Sequence, residues 1–190
     1  MTTCIAIWKP DAAAIASDLR VTIGDRYNQL GRPKIKRIAD WLVLGAAGGS
    51  RALRVLDEWK LSAKTSPKGR EDARATLQKA ADALWERMGW EPHDDAEDEF
   101  ESPEVLCLTK WGVYSLSSGG TVWPYGGDTQ VISIGSGGSF ALGAAKVLLG
   151  NPDLTLEQVL TEAIEVASSI DPATGNGCVV FEVQAEGVVP

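Results

Sequence analysis

The sequence predicts an α+β fold, because its strands and helices occur in groups rather than in alternation. The first fifty residues contain short apolar runs typical of strands, and two amphipathic helical patterns follow between residues 52 and 88. Further strands precede a second pair of helical patterns, and the chain ends in another strand. This grouping favours α+β over a doubly wound parallel sheet. Two helix pairs suffice to cover the outer faces of two packed sheets.

The N-terminal half is predicted to form antiparallel strands followed by two helices. Strands are predicted over residues 3–7, 12–16, 21–23, 35–38 and 41–47, where apolar and β-branched residues cluster between turn signals. Ala52, Leu56 and Trp59 share one helical face, and a second apolar stripe runs from Ala73 to Met88.

The C-terminal half repeats this order. Strands are predicted over residues 105–108, 113–116, 131–134 and 178–183. A helix is predicted over about 139–149, and Thr155 and Gln158 have the spacing of a capping box, which predicts the start of the last helix. Because neither a repeat nor a linker is visible, we expect one domain over residues 1–190.

The negative charge is concentrated in one segment. The chain has 18 Lys and Arg against 26 Asp and Glu, a net charge of −8, and eight of the acids lie in residues 91–104, which contain no Lys or Arg. The remainder is neutral, so it offers no basic surface for nucleic acid. No apolar run approaches the ~20 residues that span a bilayer, and no secretory signal is visible. We expect a cytoplasmic protein whose acidic loop lies away from the catalytic residues.

Cysteine and histidine limit the chemistry. Cys4, Cys107 and Cys178 are widely spaced and form no CxxC pair, which fits a reducing compartment and argues against a disulfide framework or a zinc site. His93 is the one histidine, and it lies within the acidic segment. A hydrolase with this sequence would therefore need a base other than histidine.

The N-terminus offers such a base. Removal of Met1 would leave Thr2 with a hydroxyl nucleophile and its own amine as the base. The pKa of an α-amino group is ~7.7–8.0, so the amine can accept a proton at neutral pH. Many proteins begin with Met-Thr, so this signal alone is weak. The ammonium group of Lys34 would stabilise the threonine alkoxide if a carboxylate such as Asp18 paired with it. A surface ion pair between neighbouring strands is the alternative.

Glycines mark two predicted strand-to-helix turns, at residues 45–49 and 135–138. Exposed amide N–H groups at such turns bind anions or oxyanions. Neither stretch fits GxGxxG or a Walker motif, so nucleotide binding is not indicated. Close packing of backbone is an equally good explanation for the glycines.

Taken together, these motifs resemble a known family. In order they are Thr2-Thr3, Ala16-Ser17-Asp18 with Arg20-Val21-Thr22, Lys34, the turn after Gly45, Ile134-Gly135-Ser136-Gly137-Gly138, and residues 168–177. The chain resembles the proteasome β-subunits and the related peptidase subunit of the bacterial HslUV protease, which are N-terminal-nucleophile threonine hydrolases. The resemblance covers nearly the whole chain and implies a four-layer αββα sandwich.

The resemblance implies a role for each matched position. Thr2 would be the nucleophile and base, Asp18 and Lys34 its activating charge pair, and the Gly45 amide the oxyanion donor. Residues implied to orient the threonine amine and relay protons are Ser136, Asp171 and Thr174. Residues implied to contact the substrate are Thr22, Val21 and Val43.

The function implied by the resemblance is that of a threonine endopeptidase subunit in a self-compartmentalising ring that cleaves unfolded proteins. An ATP-dependent unfoldase is an implied partner, because the chain itself has no nucleotide motif. No cofactor is required, and a structural monovalent or divalent cation is compatible with the sequence. Residues 135–140 are closer to the HslUV peptidase and residues 171–177 to the β-subunit, so six-fold and seven-fold rings both stay open. The alternatives are a catalytically silent ring or scaffold subunit and a small-molecule amidase of the same superfamily.

Overall fold

The computed structural model describes residues 2–23, 26–28, 33–48, 50–61, 66–88, 103–117 and 120–186, with the backbone alone for 21–23, 26–28 and 50–51. The strands of the first half are β1 (Cys4–Lys9), β2 (Ala12–Asp18), β3 (Val21–Ile23), β4 (Arg26–Asn28), β5 (Ile35–Ala39) and β6 (Leu42–Ala47). Those of the second half are β7 (Glu104–Thr109), β8 (Gly112–Leu116), β9 (Val122–Pro124), β10 (Gln130–Ile134) and β11 (Cys178–Val183). The helices are α1 (Ser50–Glu58), α2 (Arg70–Met88), α3 (Gly138–Leu148) and α4 (Leu156–Ile170).

Two antiparallel sheets form the centre of the molecule. One has the strand order β10-β1-β2-β11 and the other β5-β6-β7-β8-β9, while β3 and β4 pair separately. The helices α3 and α4 pack on the first sheet, and α1 and α2 pack on the second. The described part of the chain is thus an αββα sandwich, and the predicted fold is confirmed.

The sandwich explains why the central strands are apolar on both faces. In β1, Ile5 and Ile7 belong to the core beneath α3 and α4. The alternate residues Cys4, Ala6 and Trp8 belong to the core between the two sheets. A strand whose two faces are both covered reads as a continuous apolar run, which is the pattern of β1, β2 and β6.

Most elements lie within two residues of their predicted bounds, and two short strands were missed. The capping box at Thr155 and Gln158 is present, and α4 begins directly after Thr155. The sequence reading did not predict β4 or β9, each of which has three residues and little apolar patterning. Among the described helices, none combines the length and the apolar character that crossing a bilayer requires.

The strand pairing brings distant parts of the sequence to one edge of the sandwich. Because β1 is antiparallel to both β2 and β10, its start lies beside their ends, with Cys4 opposite both Ser17 and Ile134. The start of β11 lies there too, with Cys178 opposite Asp18. In the other sheet, the start of β5, the end of β6 and the start of β7 share an edge. Thr2 lies two residues before β1, so strand pairing within each sheet and the packing of the two sheets together gather the predicted site.

Candidate active site

Asp18 and Lys34 form a buried ion pair. The Lys34 Nζ lies 2.8 Å and 2.9 Å from the two Asp18 carboxylate oxygens, and the side chains are 2% and 0% exposed. Burial lowers the pKa of Lys34, and the neighbouring Asp18 charge offsets part of this effect. The surface ion pair considered as an alternative is therefore wrong, since both groups lie out of solvent.

Backbone amides hold Asp18 from three directions. The Thr3 N–H donates to Oδ1 at 2.9 Å, while the N–H groups of Arg20 and Gly175 donate to Oδ2 at 3.0 Å and 2.9 Å. Such donors compensate a carboxylate for its lost hydration. Because Lys34 Nζ and Thr3 N share the same Asp18 oxygen, the ammonium group is fixed beside the Thr2–Thr3 peptide.

A second polar cluster holds the Thr3 side chain. The Thr3 and Thr174 hydroxyl oxygens lie 2.6 Å apart, and the Thr174 and Ser136 hydroxyls both donate to Asp171 Oδ2 at 2.7 Å. Since the Thr174 proton goes to Asp171, Thr3 donates to Thr174. Burial raises the pKa of Asp171, but hydrogen bonds from Ser136, Thr174 and the Ala173 amide outweigh this and hold it below its ordinary value.

Two glycines allow the backbone after β10 to approach this cluster. Gly135 has a φ of +87°, and a Cβ placed there would lie 1.8 Å from the Thr2 carbonyl oxygen. A Cβ at Gly137 would lie 2.3 Å from each of the Thr3 and Thr174 hydroxyl oxygens. Both positions therefore accept only glycine, which has no side chain. The turn covers one side of the Thr2–Thr3 segment.

The structure contradicts the predicted role of the Gly45 amide. Gly45 lies inside β6, paired with Ile35 on one side and Leu106 on the other. The next N–H, that of Ala46, donates to Lys34 O on the β5 side. Successive N–H groups of a strand point to opposite edges, so the Gly45 N–H points to β7 and serves the sheet. It is unavailable to a substrate oxyanion.

Val43 does not line an open pocket as predicted. It is fully buried in the core between the sheets, because alternate residues of β6 face that core. Val21 and Thr22 lie in β3, paired with Asn28 and Tyr27, and their side chains are outside the described structure. Met1 is outside it as well.

The acidic segment falls mostly outside the described residues, but its last member contradicts the expected separation from the site. Glu104 begins β7, and its carboxylate accepts a 2.6 Å hydrogen bond from the Gly135 N–H. The same Gly135 abuts the Thr2 carbonyl. At least one acid of this segment therefore lies in the catalytic neighbourhood.

The sequence reading missed the structural parts played by Thr3 and Gly175. Thr3 contributes both its amide and its hydroxyl to the two clusters, although only its neighbour Thr2 was assigned a role. A Cβ at Gly175 would lie 2.3 Å from Arg20 Cβ, so this glycine lets its amide reach Asp18. Thr3 lies in the Thr2-Thr3 motif and Gly175 lies in residues 168–177. Membership of these motifs was the signal that could have identified both residues.

Comparison with models of protein families gives no match. Among curated proteins, the ATP-dependent protease subunit HslV of Lacticaseibacillus casei is 31% identical over 183 residues, covering 95% of this chain and 98% of that protein. The chain belongs to the HslV family. HslV of Caldanaerobacter subterraneus subsp. tengcongensis is 30% identical over 180 residues, covering 94% of this chain and 96% of that protein. The predicted resemblance is confirmed.

Two solved structures share the fold of this chain. The HslV of Trypanosoma brucei matches with a TM-score of 0.70 at 23% identity, covering 96% of this chain and 99% of that one. BPH of Thiobacillus denitrificans, in complex with epoxomicin, matches with a TM-score of 0.74 at 21% identity, covering 96% and 98%. At these identities the likeness concerns the sandwich itself.

Proposed function

We propose that this chain is a threonine endopeptidase subunit that cleaves peptide bonds of unfolded proteins within a closed ring. The observation that carries the proposal is the buried Lys34–Asp18 pair, bonded to the Thr3 amide directly beside Thr2. Its relatives are named protease subunits, and the BPH structure of the same fold contains epoxomicin, an inhibitor of threonine proteases.

The first step is the activation of Thr2. Once Met1 is removed, the free α-amine accepts the proton of the Thr2 hydroxyl, and the oxygen attacks the substrate carbonyl. The ammonium charge of Lys34 stabilises the developing alkoxide, and it favours the neutral, basic form of the nearby amine. Asp18 keeps this charge in place without contacting the substrate.

The oxyanion needs an amide outside the β6 ladder, and we assign it to Gly48. Gly48 is the first residue after β6, with a φ of +117°. Continued strand alternation would direct its N–H to the same edge as that of Ala46. Ala47 lies against the Gly135 turn that contacts Thr2. A backbone donor fixed there stabilises the tetrahedral intermediate without reorganisation.

The Asp171 cluster holds the nucleophile segment. Ser136 and Thr174 are fixed by Asp171, and Thr174 in turn fixes the Thr3 hydroxyl. Their oxygens supply acceptors for the Thr2 ammonium group that forms when the hydroxyl proton is transferred. The protonated amine then gives its proton to the leaving amine, and water, activated by the same amine, releases the acyl group.

This chemistry takes its nucleophile and base from the chain and uses no cofactor; a structural cation is compatible with it. We place the protein in the cytoplasm, stacked in rings of its own copies. An ATP-dependent unfoldase would deliver its substrates, since the HslV relatives are named subunits of ATP-dependent proteases.

Replacing Thr2 tests the proposal. Thr2→Ala is expected to lower cleavage of a small fluorogenic peptide at least ~1,000-fold, because it removes the nucleophile, whereas Thr2→Ser keeps a hydroxyl and should retain measurable cleavage. Undiminished cleavage by Thr2→Ala contradicts the proposal. Wild-type rings without peptide cleavage would indicate a silent subunit, and turnover of small amides by isolated protomers with no peptide cleavage would indicate an amidase.

A further inference from the structure

Glu104 makes a contact that the proposed chemistry does not use. It is exposed at the start of β7, where packing demands no carboxylate, and its Oε2 accepts a 2.6 Å hydrogen bond from the Gly135 N–H. A hydrogen bond to an ionised acceptor is shorter and stronger than one between neutral groups. The side chain therefore holds one particular backbone amide.

The amide that it holds belongs to the turn against Thr2. Gly135 leaves no room for a Cβ in front of the Thr2 carbonyl, so the two backbones are in direct contact. Ser136 follows at once and donates to Asp171. Movement of the Gly135 peptide would shift both the wall behind Thr2 and one donor of the Asp171 cluster.

The contact also joins the two sheets at the edge where Thr2 lies. Glu104 is the register partner of Ala47 at the end of β6, while Gly135 follows β10 of the other sheet. Ala47 Cβ lies 3.1 Å from the position that a Gly135 Cβ would take. Through Glu104, the strand end that precedes Gly48 and the turn behind Thr2 are fixed to each other.

We infer that Glu104 is a positioning residue of the reaction, whose carboxylate sets the Gly135–Ser136 turn against the Thr2 carbonyl and thereby orients the nucleophile. This role presupposes the proposed function of Thr2. The Glu104 carboxylate acts as a hydrogen-bond acceptor for the Gly135 N–H, and not by an electrostatic effect of its charge on the substrate. Glu104→Gln keeps an acceptor oxygen at the same reach, whereas Glu104→Ala removes it, so the two variants separate these roles.

The experiment uses the assembled protein and a small fluorogenic peptide. Glu104→Ala is expected to lower kcat about tenfold with KM changed less than about twofold, as expected for one lost hydrogen bond to a charged acceptor, and Glu104→Gln to stay within about threefold of wild type. Hydrogen exchange of peptides covering residues 130–140 should rise in Glu104→Ala alone. The control is Glu86→Ala, an exposed glutamate in α2, which should match wild type in every readout.

Three results would overturn the inference: wild-type kcat in Glu104→Ala, equal losses in both variants, or a loss confined to KM. Equal losses indicate a charge effect, and a KM effect indicates substrate contact. Size-exclusion chromatography and thermal unfolding establish that the variants are folded and assembled. A failure of the proposed function gives a different result: the wild-type protein cleaves the peptide, and Thr2→Ala does not abolish that cleavage.

Discussion

Replacing Lys34 by methionine is expected to lower peptide cleavage by at least ~100-fold, because the loss of an electrostatic stabiliser in a water-excluded site costs about 10²–10³ in rate. Methionine fills a similar volume but carries no charge, so the Thr2 alkoxide loses its stabilising ammonium group. The variant should also lose about 3 kcal/mol of unfolding free energy, since removing one partner leaves Asp18 buried without its counter-charge. Initial rates and urea unfolding measure the two effects.

The control for this variant is Lys36→Met, two residues further along the chain in β5. Lys36 donates to the Leu56 carbonyl at 2.9 Å at the end of α1, away from Thr2. It should lose only about 1 kcal/mol and keep wild-type cleavage. If Lys34→Met does not fold, Lys34→Gln offers a polar substitute for the same comparison. Wild-type cleavage by either folded Lys34 variant would refute the assigned role.

Replacing Gly135 by alanine should abolish cleavage and destabilise the fold. Its Cβ would lie 1.8 Å from the Thr2 carbonyl oxygen, and its φ of +87° is unfavourable for any residue with a side chain. The clash is with backbone rather than with a flexible side chain, so the Thr2 segment or the turn must move. We expect a loss of at least ~2–3 kcal/mol in unfolding free energy. Thermal unfolding and peptide cleavage provide the readouts.

Gly143→Ala is the matched control within the next helix. Gly143 is exposed in α3, and nothing lies within 4 Å of a Cβ built on it. Alanine is a better helix former by about 0.5–1 kcal/mol, so this variant should gain stability and retain cleavage. An active, stable Gly135→Ala would show that the backbone contact with Thr2 is dispensable.

The fold was predictable because the central strands carry a strong signal. Residues 4–8 and 12–16 are apolar at successive positions, which is what a strand covered on both faces requires. The Thr155 capping box located the start of α4 to the residue. The resemblance then gave roles to positions such as Asp18, at the end of β2, and Lys34, just before β5 of the other sheet, which the packing of the two sheets brings together.

The errors arise where a role depends on strand register. A sequence shows that residues 41–47 are apolar, but not which N–H groups the neighbouring strands use or which face is sealed. Gly45 and Val43 were therefore assigned to the site, although the first serves the β6–β7 ladder and the second the core. The charge pattern places Glu104 with the acids before it, in a loop away from the catalytic residues, whereas its contact with Gly135 depends on tertiary structure.

Intact-protein mass spectrometry after incubation with epoxomicin tests whether Thr2 is the nucleophile. We expect a wild-type chain that lacks Met1 and gains one inhibitor, with fragment ions that locate the adduct on Thr2. Thr2→Ala should gain nothing. A chain that keeps Met1 in active preparations, or an adduct that persists in Thr2→Ala, would contradict Thr2 as the nucleophile.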